Sequence, residues 1–228
     1  MLNLEEKKQE EKMSEIKTIQ KGDFAELDYT GRVKDADFIF DTTLPVENYH
    51  NPSKHGPVIV CVGDQNILKG LDRQLEGKET GKAYTAEVTP EDGFGKRNAK
   101  LLQLVPSSKF RNEKINPFPG LQVNIDGIFG VVKAVSGGRV IVDFNHPLAG
   151  RELVYDFKIR RIVTDDAEKA KAIARMVAGE CEASINDQRD SALITTKKEI
   201  PKEMKDAVSE AVRKKIHSIR NIEFALSQ

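Results

Sequence analysis

The sequence predicts an α+β chain in three parts. These are an antiparallel sheet wrapped on one short helix, a small β-rich block inserted into it, and a separate C-terminal unit of order αββαβ. Three observations carry this. Apolar and polar residues alternate along Phe24-Ala25-Glu26-Leu27-Asp28-Tyr29 and again along Glu152 to Val163, the period of half-buried strands. Between these runs, Asp126-Gly127 and Ser136-Gly137-Gly138 separate short apolar stretches as hairpin turns do. Beyond Asp165 the apolar spacing becomes helical, then strand-like, then helical again.

Each element can be justified in order. Residues 1–18 are a charged lead rich in helix formers (Glu5, Glu6, Lys7, Lys8, Glu10, Glu11, Lys12), a solvated helix or a mobile tail. The first strand pauses at Thr30-Gly31 and resumes at Arg32-Val33, and Phe38 to Thr43 follows. Pro45 to Pro57 is polar and reads as loop. Val58 to Val62 is a buried strand ending at Gly63, in which Cys61 serves as a small hydrophobe. Ile67, Leu68, Leu71 and Leu75 form one short helical face between Gly63 and Gly77. A strand with Tyr84, Ala86 and Val88 stops at Thr89-Pro90. The inserted block has strands at Leu102–Pro106, Leu121–Ile125, Gly127–Val135 and Arg139–Phe144. Glu152 to Val163 has the length and alternation to lie beside the first strand.

In the C-terminal part, Thr164-Asp165-Asp166 supplies an N-cap and acidic first turn. Ala170, Ile173, Ala174 and Val177 then share one helical face. Cys181–Ile185 and Ala192–Thr196 read as strands. Pro201 opens a helix carrying Met204, Val208, Ala211, Val212, Ile216 and Ile219, and Ile222 to Leu226 is a last strand. Lys202, Lys205, Arg213, Lys214, Lys215 and Arg220 read as a solvated helix face. A dimerisation surface or contact with ribosomal RNA are the alternatives.

Composition excludes several classes. Thirty-six basic and thirty-six acidic residues cancel, so nothing calls for a nucleic-acid or membrane-surface partner. No apolar run reaches about 18 residues, the length of a membrane-spanning helix. The N-terminus lacks the apolar core of a secretory signal, and two distant cysteines make no disulfide framework, so a cytoplasmic location is expected. His50, His55, His146 and His217 are scattered without ligand spacing, so neither metal nor cofactor is expected. Gly93-Phe94-Gly95 precedes no phosphate-loop helix, and no Ser/His/Asp or Cys/His arrangement is readable.

Several stretches match one family together. Asp28-Tyr29-Thr30-Gly31, Phe40-Asp41-Thr42-Thr43, Val62-Gly63-Asp64-Gln65-Asn66-Ile67-Leu68-Lys69-Gly70-Leu71 and Gly93-Phe94-Gly95 stand in the order and spacing of FKBP-type prolyl isomerases. Phe144-Asn145-His146-Pro147-Leu148-Ala149-Gly150, after the insertion, resembles the SlyD-like branch with its insert-in-flap domain. The whole is most similar to long archaeal members with a C-terminal extension. The resemblance covers roughly residues 20 to 163. It implies an FKBP-type domain at 19–96 and 145–164, an insert-in-flap chaperone domain at 97–144, and a C-terminal α+β domain at 165–228.

The implied activity is peptidyl-prolyl cis/trans isomerisation, which these residue types suit. The X-Pro bond resists rotation by roughly 18–20 kcal/mol because of its partial double bond. Lowering that barrier requires an apolar pocket that desolvates the amide and donors that accommodate the twisted imide, with no nucleophile or metal. By resemblance, Tyr29, Asp41, Leu68, Phe94 and Tyr155 are catalytic, with the Leu68 N–H binding the substrate carbonyl and Asp41 hydrogen-bonding Tyr29. Phe40, Val60, Ile67, Leu71, Leu148 and Ala149 contact substrate. Taken alone, Phe40, Val60, Leu71 and Tyr155 read as core residues, and Asp41 reads equally well as a turn or cap residue. The family's tryptophan is Leu71 here and one tyrosine is Phe94, which argues against high macrolide affinity. In the insert, Phe110, Phe118, Ile128 and Phe129 are expected to be partly exposed and to bind clients, with strand addition as a route. The partners implied are unfolded or nascent polypeptides, and a second subunit paired through 165–228. A holdase with little isomerase activity is the alternative.

Overall fold

Why the first strand sits at the centre of its sheet follows from its length. In the computed structural model, which describes residues 16–36, 38–45 and 56–227, β1 (Phe24–Val33) offers one edge to two short strands. Its end carries β2 (Ile39–Thr42), with Gly31 opposite Asp41, and its beginning carries β3 (Val58–Cys61), with Phe24 opposite Cys61. Residues 1–15 of the charged lead, and most of the Pro45–Pro57 stretch with His50 and His55, lie outside the described residues.

After β3 comes the single-face helix α1 (Lys69–Leu75), which buries Leu71 and Leu75. No side chain caps its start. Instead the buried Asp72 carboxylate accepts from the Gly63 N–H at 3.0 Å and the Gln65 N–H at 3.0 Å. Asn66 Oδ1 accepts from Cys61 N at 2.9 Å, so the segment leading to Ile67 and Leu68 is held at both ends. Strand β4 (Ala83–Val88) follows.

The chain divides into two compact units: one holds the described residues of Met1–Glu87 and Val154–Gln228, the other Val88–Leu153. The second unit contains β5 (Leu102–Pro106), α2 (Ser107–Asn112), β6 (Gln122–Ile125), β7 (Ile128–Ser136) and β8 (Arg139–Asp143). Its four-stranded antiparallel sheet has the order β5-β8-β7-β6. The core is Val105, Phe110, Val123, Val132, Val140 and Val142. Phe110, expected to be exposed, is only 3% exposed. The reason is α2, too short to show a helical period, which turns this ring onto the valines of the sheet. Phe118, Ile128 and Phe129 are exposed as expected, and Leu102, Leu104 and Ile141 join them.

This second unit is longer than the expected insert because its return is stitched to its exit. Gly150 N donates to Gly95 O at 2.7 Å, Asn98 N donates to Asn145 Oδ1 at 2.8 Å, and Arg97 pairs with the buried Asp143. Burial raises the Asp143 pKa, but the hydrogen bonds from Asn145 and the charge of Arg97 overcome it and hold the carboxyl below its ordinary value.

In the first unit, β9 (Leu153–Ile162) takes the free edge of β1 and β4 lies beyond it, giving the order β2-β1-β9-β4 with β3 also on β1. Then α3 (Asp166–Ala178) starts at Asp165, whose carboxylate accepts from the Glu168 N–H at 2.8 Å. β10 (Cys181–Ile185), β11 (Ser191–Thr196), α4 (Lys202–Lys215) and β12 (Asn221–Leu226) complete the expected αββαβ order, with β12 parallel to β11. These residues share one core with the first sheet. Phe24, Cys61 and Val163 pack with Ala170, Ile173, Ala174, Ile194, Val208 and Val212. Lys215 Nζ also pairs with Asp64 at 2.5 Å. No described helix is long and apolar enough to cross a membrane.

Candidate functional site

Three aromatic rings meet on the β1 backbone. Tyr29 leaves β1, Phe40 leaves β2 and Tyr155 leaves β9. The Tyr155 ring centroid lies 5.8 Å from that of Tyr29 and 5.7 Å from that of Phe40, both edge-on. Gly31 makes this possible: a Cβ there would stand 2.7 Å from a Tyr155 ring carbon and 2.8 Å from a Phe40 ring carbon. Sequence reasoning placed Gly31 at a pause in the strand and within a family motif, with no part in the site. Its place between two aromatic segments was the available signal.

The polar side of the cluster is a strand-to-strand clamp. Tyr29 Oη donates to Asp41 Oδ2 at 2.9 Å. One residue pair further on, Tyr29 N donates to Thr43 Oγ1 at 2.9 Å and Thr43 N donates to Tyr29 O at 3.0 Å. The Asp41 carboxylate is thus fixed beside the rings. Burial, reinforced by the Asp41 charge, pushes the Tyr155 hydroxyl well above its ordinary pKa, so it keeps its proton throughout the neutral range.

Beside this cluster lies a cleft of about 680 Å³. Tyr29, Asp41, Val60 and Ile67 line it, together with Thr42, Thr43 and Val58, which sequence reasoning passed over. Leu68 precedes α1 and its carbonyl accepts from the Leu71 and Asp72 N–H groups, each at 2.9 Å. Its own N–H donates to no group among the described residues. Leu71, expected to contact substrate, is 1% exposed and is not part of the cleft lining.

Phe94, Leu148 and Ala149 belong to the second unit. There Phe94 stacks flat on His146, with centroids 4.3 Å apart and planes 3° from parallel. His146 Nδ1 accepts from the Leu148 N–H at 3.2 Å, and its carbonyl accepts from the Ala149 N–H at 2.9 Å. One histidine therefore orders all three residues. Among the described residues no three His, Cys, Asp or Glu side chains gather as metal ligands would.

The cluster thus sets a fixed carboxylate beside three aromatic rings, and the Leu68 N–H is a spare backbone donor. The family described as FKBP-type peptidyl-prolyl cis-trans isomerase matches residues 16–110, and that described as FKBP26, IF domain matches residues 103–148. The short-type peptidyl-prolyl cis-trans isomerase of Methanocaldococcus jannaschii is 30% identical over 158 residues, 67% of this chain and 99% of that protein. A probable FKBP-type 16 kDa isomerase of Pseudomonas fluorescens is 38% identical over 108 residues, covering 45% of this chain and 71% of its own length. The SlyD isomerase of Vibrio cholerae is 30% identical over 157 residues, covering 65% and 71% respectively. The chain belongs to the FKBP-type peptidyl-prolyl cis-trans isomerases, in the SlyD-like form with an insert-in-flap domain.

Proposed function

We propose that the protein isomerises X-Pro bonds of unfolded or nascent polypeptides in the cytoplasm, with catalysis at the Tyr29–Asp41–Tyr155 cluster and client capture by the insert. The observation that carries this is the conjunction of the aromatic cluster on Gly31 with a carboxylate fixed at its edge. The proline ring is enclosed against the aromatic side chains and Ile67. Enclosure strips water from the imide and disfavours its planar, charge-separated form, so that rotation becomes easier. The Leu68 N–H holds the neighbouring carbonyl, while Asp41, oriented by Tyr29, faces the carbonyl carbon as it twists out of conjugation. Each tenfold in rate requires only about 1.4 kcal/mol, so such noncovalent contacts suffice.

Client capture rests on the apolar side chains that the insert leaves in water. Phe118, Ile128 and Phe129, with Leu102 and Leu104 on the edge strand β5, are set to take extended segments. Phe110 has no part in it. The test is the refolding rate of a proline-limited protein. Acceleration by the wild type, reduced about tenfold or more in Asp41→Ala or Tyr29→Ala, is expected. Equal rates with and without the protein, alongside suppressed aggregation, would assign it to the holdases instead.

A further inference from the structure

The cleft beside the aromatic cluster has a second wall, and that wall is made by α3. Glu168, Lys171, Ala172, Arg175 and Met176 line it. Their spacing of three, four, seven and eight residues from the first places them on one face of the helix. The neighbouring face, Ala170, Ile173 and Ala174, is buried in the shared core. The helix is thus anchored on one side and presents charge and a methionine to the cleft on the other.

The three charged side chains of that face are not equivalent. Glu168 is engaged by Arg161 at 2.5 Å and Lys171 by Glu182 at 2.5 Å. Arg175 makes no ion pair with any described residue; it lies in the field of Glu180, whose own ion-pair partner is Lys197 at 2.8 Å. A carboxylate entering the cleft therefore pairs with Arg175 without breaking an existing bond. A lysine entering there meets Arg175 and Lys171, and gains Glu168 only by displacing Arg161. Asp41 lines the same cleft and repels a client carboxylate, so the lining favours an acidic residue at Arg175 and disfavours one at Asp41. Met176 and Ala172 supply an adaptable apolar surface between the charges, the kind that accepts varied side chains.

We infer that α3 is a specificity wall: it selects proline-containing polypeptide segments that carry an acidic residue flanking the proline, with Arg175 as the recognising group. This inference rests on the proposed isomerase reading for the position of the proline. An exposed arginine of this kind gives a modest, salt-sensitive preference, about threefold to fivefold at low ionic strength.

The test uses synthetic Leu-Pro peptides with Glu, Ala or Lys at either flank and the full chain. The wild type is expected to show a kcat/KM ratio of Glu over Lys peptides of about three to five at low salt, falling towards one at high salt. Arg175→Gln should bring the ratio near one, and Arg175→Glu should invert it. A wild-type ratio of one, or a ratio unmoved by both variants, overturns the inference. Loss of the ratio in both variants together with a concentration-dependent change in sedimentation would assign the face to a second copy of the chain, which also overturns it. If no peptide is isomerised, the isomerase reading fails by itself, and fluorescence anisotropy of the same labelled peptides decides the groove. An Arg175-dependent preference for Glu peptides in binding supports the wall, and its absence refutes it.

Discussion

The two compact units use aromatic and branched side chains in opposite ways. In the first, Tyr29, Phe40 and Tyr155 close on one another over a glycine, and Tyr155 is left 3% exposed. In the second, a core of five valines, Phe110 and little else is surrounded by Phe118, Ile128 and Phe129, the last 75% exposed. A small block cannot bury every apolar residue it carries, yet it does bury the one that its short helix points inward. Enclosure suits a reaction that depends on desolvation, whereas exposure suits capture of many sequences. On the proposed reading, the difference separates chemistry from recruitment.

The comparison breaks most visibly inside the insert itself, where two phenylalanines have opposite roles. Phe110→Ala should cost about 3–5 kcal/mol and unfold the insert. The expected sign is loss of hydrogen-exchange protection across β7 and β8. Ile128→Ser with Phe129→Ser should leave that protection intact and weaken binding of an unfolded client. If both variants lost protection, the exposed residues would be structural after all.

The next largest effect concerns Gly31. Gly31→Ala places a methyl group within 3 Å of two rings and is expected to destabilise the first unit by about 1–3 kcal/mol. Peptide isomerisation should fall even at temperatures where the variant stays folded, because the rings must part. Full activity in a folded Gly31→Ala protein would remove the cluster from the mechanism.

Smaller effects come from charge. The raised Tyr155 pKa means that the unfolded chain gives up this proton before the folded chain does. Its contribution to stability is therefore complete below the ordinary value of about 10 and is lost as the pH rises beyond it. Tyr155→Phe should flatten the stability curve above pH 10, read by urea unfolding. Asp143 acts at the other extreme. Its lowered pKa gives stability above the ordinary carboxylate value, lost as the pH falls through the lower folded one. Asp143→Asn should remove that acid dependence from the second unit alone.

Most strands were legible because alternation is a local property. β1, β9 and the strands of the insert lie within a residue or two of where the pattern put them. What failed was non-local. Six residues after a proline, with one aromatic among Lys109, Arg111 and Asn112, carry no helical period, so α2 was missed and Phe110 misjudged with it. Residues 165–228 read as a separate part because nothing in Phe24 or Cys61 says which neighbour they pack on. The same ambiguity hid the cleft wall. Glu168, Lys171, Arg175 and Met176 look like a solvated helix face until the first sheet is placed beside them. At the site, Tyr29 and Asp41 came from recurring motifs and were found bonded to each other. Thr43 and Gly31 stand in the same motifs, but the hydroxyl that accepts from the Tyr29 N–H and the room left for two rings emerge only when the strands pair.

The division between chemistry and recruitment is tested most directly by measuring one catalysed rate on two substrates. A short Ala-Leu-Pro-Phe peptide needs only the cluster, while refolding of a proline-limited protein needs the insert as well. Asp41→Ala is expected to lower both rates about tenfold or more, and Ile128→Ser with Phe129→Ser to lower only the refolding rate. An Asp41→Ala protein that isomerises the peptide as fast as the wild type, or an insert variant that slows peptide and protein alike, would contradict it.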